Sequence, residues 1–147
     1  MGRYKVTLTE DIKKTIEFEH IGIAVSDITE CLNIIGNLFE LKEVSEIYED
    51  ILQNIKVSFI NLSGAKVELI EPLDRSKESP VDNMLKRNNS YYHLCFSTKC
   101  IADTVSELKE KGAIEVCSPV PALAFGNSKI AFLFIKHLGL IELVEKK

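Results

Sequence analysis

A five-residue phrase occurs twice in this chain, and the repetition limits its fold more than any other feature. Residues 67–71 read Val-Glu-Leu-Ile-Glu and residues 141–145 read Ile-Glu-Leu-Val-Glu. Each copy follows a histidine set in an apolar, strand-like run, His20 in FEHIGIAV and His93 in YYHLCFST. The separation from His20 to Glu68 is 48 residues and that from His93 to Glu142 is 49. An internal repeat of this kind implies two copies of one supersecondary unit. It also sets a His and a Glu at matching points of each half, which makes four candidate metal ligands.

The order of elements supports the repeat. Residues 18–25 alternate with the period of a strand, Ile21, Ile23 and Val25 on one face and His20, Gly22 and Ala24 on the other. Ser26 is read as the N-cap of a helix with Ile28, Leu32, Ile35 and Phe39 on its apolar stripe. Three strands follow, about 43–50, 54–62 and 65–71, the last two joined by Ser63-Gly64. Residues 73–89 form a linker in which Ser79-Pro80 is read as the N-cap and first residue of a short helix reaching Lys86. The series then recurs: strand 91–98, a helix with Ile101, Val105 and Leu108 on its stripe and Gly112 beyond its end, and strands at about 113–118, 129–135 and 139–145.

The expectation is therefore one α+β domain spanning 1–147. It is built from two tandem βαβββ modules, about 17–72 and 90–145, that form an eight-stranded open cup. Residues 1–15 lie outside the repeat and are read as an added strand or helix.

Composition narrows the function classes. The formal net charge of −4 gives no basic surface for nucleic acid or for a membrane. No apolar run has the length of a membrane span, and residues 1–14 lack a signal-peptide core, so a cytoplasmic protein is expected. Cys31, Cys95, Cys100 and Cys117 show no Cys-x-x-Cys spacing and are read as free thiols.

His20 and His93 each share a strand face with small residues, Gly22 and Ala24 or Cys95 and Ser97, which leaves room for a concave site. Two imidazoles and two carboxylates suit a divalent ion of five or six coordination positions, with one or two left for water or substrate. His137 is read as a surface residue, and Glu71 and Glu145 as solvated. The segment Pro119–Asn127 is either a cap over the cup or a plain connector.

Taken together, HIGIAV, VELIEPL, YYHLCF, AFGNSKIAFLF and GLIELVE resemble the vicinal oxygen chelate superfamily over about residues 17–145. That resemblance implies the glyoxalase/bleomycin resistance/dioxygenase fold, with His20, Glu68, His93 and Glu142 as metal ligands and Glu142 also as the base. The metal would be nickel, cobalt, zinc or manganese. The implied activity is that of a glyoxalase I-like lyase or isomerase, moving a proton at the carbon beside a polarised oxygen of a thiol-adduct (hemithioacetal) substrate. The alternatives are a methylmalonyl-CoA epimerase-like enzyme and a non-catalytic binding or resistance protein. Two departures count against the epimerase: Tyr92-His93 stands where epimerases usually show His-His, and the position of a further acidic base proposed for some epimerases falls near Val57, which cannot serve. A small thiol-linked substrate and a homodimer are the expected partners.

Overall fold

The computed structural model describes residues 16–146. Its strands are β1 (Glu17–Ala24), β2 (Tyr48–Asp50), β3 (Ile55–Leu62), β4 (Ala65–Pro72), β5 (Tyr91–Thr98), β6 (Ile114–Ala122), β7 (Ser128–Ile135) and β8 (Gly139–Glu145). Three α-helices, α1 (Ile28–Leu38), α2 (Asp82–Lys86) and α3 (Ile101–Glu110), and one 3-10 turn (Leu123–Phe125) complete the element order. The expected residues 1–15 element lies outside the described residues.

All eight strands form one mixed sheet in the order β2-β3-β4-β1-β5-β8-β7-β6. The order reads the same from either edge once the modules are exchanged. Each module runs β1–β4 or β5–β8 as a parallel pair, and β1 and β5 meet antiparallel at the centre. The sheet curls into a half-barrel of the glyoxalase/bleomycin-resistance type, as the repeat implied.

Helices α1 and α3 cover the convex face. Ile28, Ile60, Val67 and Leu69 are buried with Leu32 and Ile35 packed against them, and Ile101, Val105, Leu133, Ile141 and Leu143 form the equivalent cluster under α3. Strand alternation then sends Glu68 and Ile70, or Glu142 and Val144, to the concave face. Ser63 and Gly64 both take positive φ (52° and 98°), which fits the tight β3–β4 hairpin. Gly112 at φ 94° ends α3, with the Ala113 N–H bonded to the Leu108 carbonyl at 2.9 Å.

Several local expectations are corrected. Asp27, not Ser26, caps α1, its Oδ1 accepting the Glu30 N–H at 2.8 Å. Phe39 is the C-cap and 60% exposed, so the stripe stops at Ile35. The helix after Pro80 starts at Asp82, because buried Val81 anchors its start. The strand expected at 43–50 shrinks to Tyr48–Asp50 plus a single bridge from Val44 to Ile60. Strand β6 runs on through Pro119 and Pro121, which an edge strand tolerates.

Glu71 and Glu145 are the most informative correction. The Glu71 carboxylate accepts the Ile28 N–H at 2.5 Å and pairs with Lys56 at 2.7 Å; that of Glu145 accepts the Ile101 N–H at 3.0 Å. Each phrase thus ends in a carboxylate that caps its own module's helix, satisfying an otherwise orphan N–H and favouring the helix dipole.

Candidate metal centre

The four ligand candidates converge on the concave face of the central strands. His20 is 0%, His93 1%, Glu142 3% and Glu68 4% exposed, so none is a solvated surface group. His20 Nε2 lies 3.2 Å from His93 Nε2, 3.2 Å from Glu68 Oε2 and 3.4 Å from Glu142 Oε2. His93 Nε2 lies 3.4 Å from Glu68 Oε2 and 3.2 Å from Glu142 Oε2. Donor atoms spaced this way surround a point to which ion bonds of about 2.0–2.2 Å can be made.

The chemistry of the set also fits a cation. Two buried carboxylates in one small site repel each other and carry a large desolvation cost unless positive charge sits between them. Glu142 Oε2 is fully enclosed and, among the described residues, makes no well-aligned hydrogen bond although both imidazole Nε2 atoms lie within 3.4 Å, as expected of an atom aimed at an ion. Without a cation, His20 supplies the charge. Burial works against protonating His20, but bonding to Cys95, Glu142, Glu19 and Glu68 raises its pKa far above the ordinary range. Against the same burial penalty, the two imidazoles hold the Glu142 carboxyl down to about 2.

Two bulges in the β1–β5 pair shape the surroundings. The register passes from Phe18–Phe96 to His20–Cys95, and from Gly22–His93 to Ile23–Tyr91, so Glu19 and Tyr92 are the extra residues. A bulge places the extra side chain on its neighbour's face. Glu19 therefore contacts His20 Nδ1, and Tyr92 lines the same cavity as His93. Glu19 went unnoticed in the sequence because strict alternation would point it away from His20. The signal available was positional, since each residue immediately precedes a ligand histidine.

Above the cluster lies a cavity lined mostly by apolar side chains including Val57, Ile70, Phe125, Ile130 and Phe132. Among the described residues its charged lining consists of Glu49, Asp50, Glu68 and Glu142, with no Lys or Arg. The segment Pro119–Asn127 takes the capping role: residues 122–125 line the cavity, and the Phe125 ring stacks on His20 at 5.8 Å and 16°. His137 is exposed in the β7–β8 turn, as expected. The four cysteines are free thiols; Cys95 is buried opposite His20, and burial raises its pKa. No helix among the described residues is long and apolar enough to cross a membrane.

Residues 19–132 match the profile of the Glyoxalase/Bleomycin resistance/Dioxygenase superfamily. The chain is 32% identical to human mitochondrial methylmalonyl-CoA epimerase over 128 residues, covering 84% of this chain and 70% of the relative. A solved hypothetical protein of Bacillus halodurans is 31% identical with a TM-score of 0.76, covering 91% of this chain and 96% of that one. The solved methylmalonyl-CoA epimerase of Mycobacterium tuberculosis, 23% identical, superposes with a TM-score of 0.77 over 92% of each chain and supports the fold alone.

Proposed function

Because the chain belongs to the Glyoxalase/Bleomycin resistance/Dioxygenase superfamily, we propose that His20, Glu68, His93 and Glu142 hold a divalent metal and that the protein epimerises a branched acyl thioester of the methylmalonyl-CoA type. The observation that carries this reading is the convergence of the four side chains at the base of a largely apolar cavity. The similarity to the human epimerase favours this chemistry over the glyoxalase I-like activity expected first from the sequence. Nickel, cobalt, zinc and manganese all suit such a donor set.

When bound, a divalent ion supplies Lewis-acid stabilisation for charge developing on an oxygen beside the reacting carbon. The chain's own residues do the rest. Glu142, a carboxylate that the bound cation would keep ionised once the imidazoles serve as neutral ligands, is the base that takes the α-proton. Ile70, Phe125 and Phe132 exclude water from the carbanionic carbon. Epimerisation returns a proton to the opposite face, which calls for a second acid. Val57 cannot serve, but its cross-strand neighbourhood in β2 brings Glu49 and Asp50 to the cavity lining. Glu49 stands opposite Lys56, on the face of Glu71 and α1, whereas Asp50 alternates onto the face of Val57 and is oriented by the Gln53 backbone and side-chain amides at 3.0 and 3.1 Å, which makes Asp50 the candidate.

Homodimerisation is part of the same proposal. It is supported by the edge strand β6, whose Ile114 and Val116 side chains stand exposed, and sedimentation tests it.

Deuterium exchange decides the chemistry. The metal-loaded protein in D2O should introduce deuterium at C2 of methylmalonyl-CoA and interconvert its epimers. Turnover of methylglyoxal–glutathione hemithioacetal without exchange into the acyl-CoA would replace this reading with the glyoxalase one. Failure of both, in a chain that retains no metal, would favour a binding protein.

A further inference from the structure

The position before each ligand histidine is turned into the site by a bulge, yet the two halves use it differently. In the second half, Tyr92 lines the cavity and the Nδ1 of His93 has no hydrogen-bond partner among the described residues. In the first half, the carboxylate of Glu19 lies against His20 Nδ1. Its side chain is only 8% exposed, and it is held from behind by Lys66 Nζ at 2.7 Å and more loosely by Lys146 Nζ at 3.7 Å. Lys66 is itself seated over the Phe59 ring at 4.5 Å, and Phe59 meets the His20 ring edge-on at 5.5 Å.

We propose that Glu19 is the positioning residue of the metal centre. Its carboxylate accepts the Nδ1–H of His20, fixes the tautomer and angle of that ring, and leaves the Nε2 lone pair facing His93, Glu68 and Glu142. The inference rests on the metal reading above. A carboxylate behind a ligating imidazole makes it a stronger donor, and losing such a partner typically weakens metal binding by about 10–100-fold. The pseudo-twofold site is therefore unequal in its supports. His20 is the ligand backed by a carboxylate, whereas His93 is held by packing, its ring against Gly22 and edge-on to Phe132.

Zinc competition against a chromophoric chelator tests this on the purified full chain. Gln at position 19 can still accept the Nδ1–H but lacks the charge, so E19Q should bind zinc about tenfold more weakly. E19L removes both properties and should lose about a hundredfold. Metal-free E19Q should unfold below the wild-type midpoint, because Glu19 also pairs with Lys66, so zinc affinities are compared where each protein is fully folded and the Nδ1–H resonance separates positioning from general stability. In zinc-loaded wild type, the His20 Nδ1–H proton should resonate far downfield, and in E19Q it should move upfield. Zinc affinities of E19Q and E19L within twofold of wild type, with the Nδ1–H resonance unmoved, would overturn the role of Glu19. A wild-type chain that binds no zinc, cobalt, nickel or manganese would instead remove the metal reading and this inference with it.

Discussion

Gly22 stands directly opposite His93 across the β1–β5 pair, and the imidazole lies where a side chain at position 22 would be. A Cβ at Gly22 would come within 2.6 Å of both ring nitrogens of His93. Contacts that short do not persist, so in Gly22→Ala the ring must leave the cluster or the strands must separate. Displacing a ligand by about 1 Å can cost about a hundredfold in rate, and overpacking costs about 1–3 kcal/mol in stability. The variant should fold with a lowered unfolding midpoint and lose zinc affinity and exchange activity together. Calorimetry and the chelator assay measure both; retention of wild-type affinity would mean the cup is more compliant than its packing shows.

Much of this site was legible in the residues because its main constraints repeat. The alternation of strands put His20 with Gly22 and Glu68 with Ile70 on one face, and the duplication named the partner of each. Hidden were the features that arise only when strands meet. The bulges that bring Glu19 and Tyr92 into the site depend on β1–β5 register, which no local pattern encodes. The capping by Glu71 and Glu145 joins the end of one strand to the start of a distant helix. An isolated charged residue at a strand end reads as solvated until that helix is placed beside it.

The division of labour within each phrase can be separated by mutation. Glu71→Gln and Glu145→Gln should leave zinc affinity unchanged, since neither carboxylate joins the metal cluster. Each should destabilise the fold by about 1 kcal/mol, the usual scale for a lost helix N-terminal interaction. Glu71→Gln should cost more, because that carboxylate is more buried and also pairs with Lys56. Urea unfolding of the two variants gives the ordering; equal or zero losses would contradict the capping role.

Metal uptake should release a proton. The pKa of His20 is raised in the metal-free fold, so the imidazole holds its proton well above the ordinary histidine range. That charge stabilises the metal-free fold fully below the unfolded histidine pKa, and the contribution is lost as pH rises through the raised folded value. A cation can take Nε2 only when that proton leaves, so affinity should rise by up to about tenfold per pH unit across the neutral range. Isothermal titration in buffers of different ionisation enthalpy should count about one proton released per metal. An affinity independent of pH would show that His20 is already neutral.

Two carboxylates on separate strands allow the proton's removal and its return to be uncoupled. Glu142→Gln should lose both epimerisation and deuterium exchange from either epimer, since it removes the proposed base, and it should also weaken metal binding. Asp50→Asn is more discriminating, because Asp50 lines the cavity on the face of Val57 but lies outside the metal cluster. With Glu142 intact, one epimer should still exchange its C2 proton with solvent while its conversion to the other falls by about 10²–10⁴-fold, the usual worth of a positioned acid or base. Zinc affinity should not change. Stereospecific NMR of methylmalonyl-CoA incubated in D2O follows both processes in one sample. Equal loss of exchange and conversion in Asp50→Asn would assign it a binding role, and unchanged conversion would leave Glu142 working alone on both faces of the carbanion.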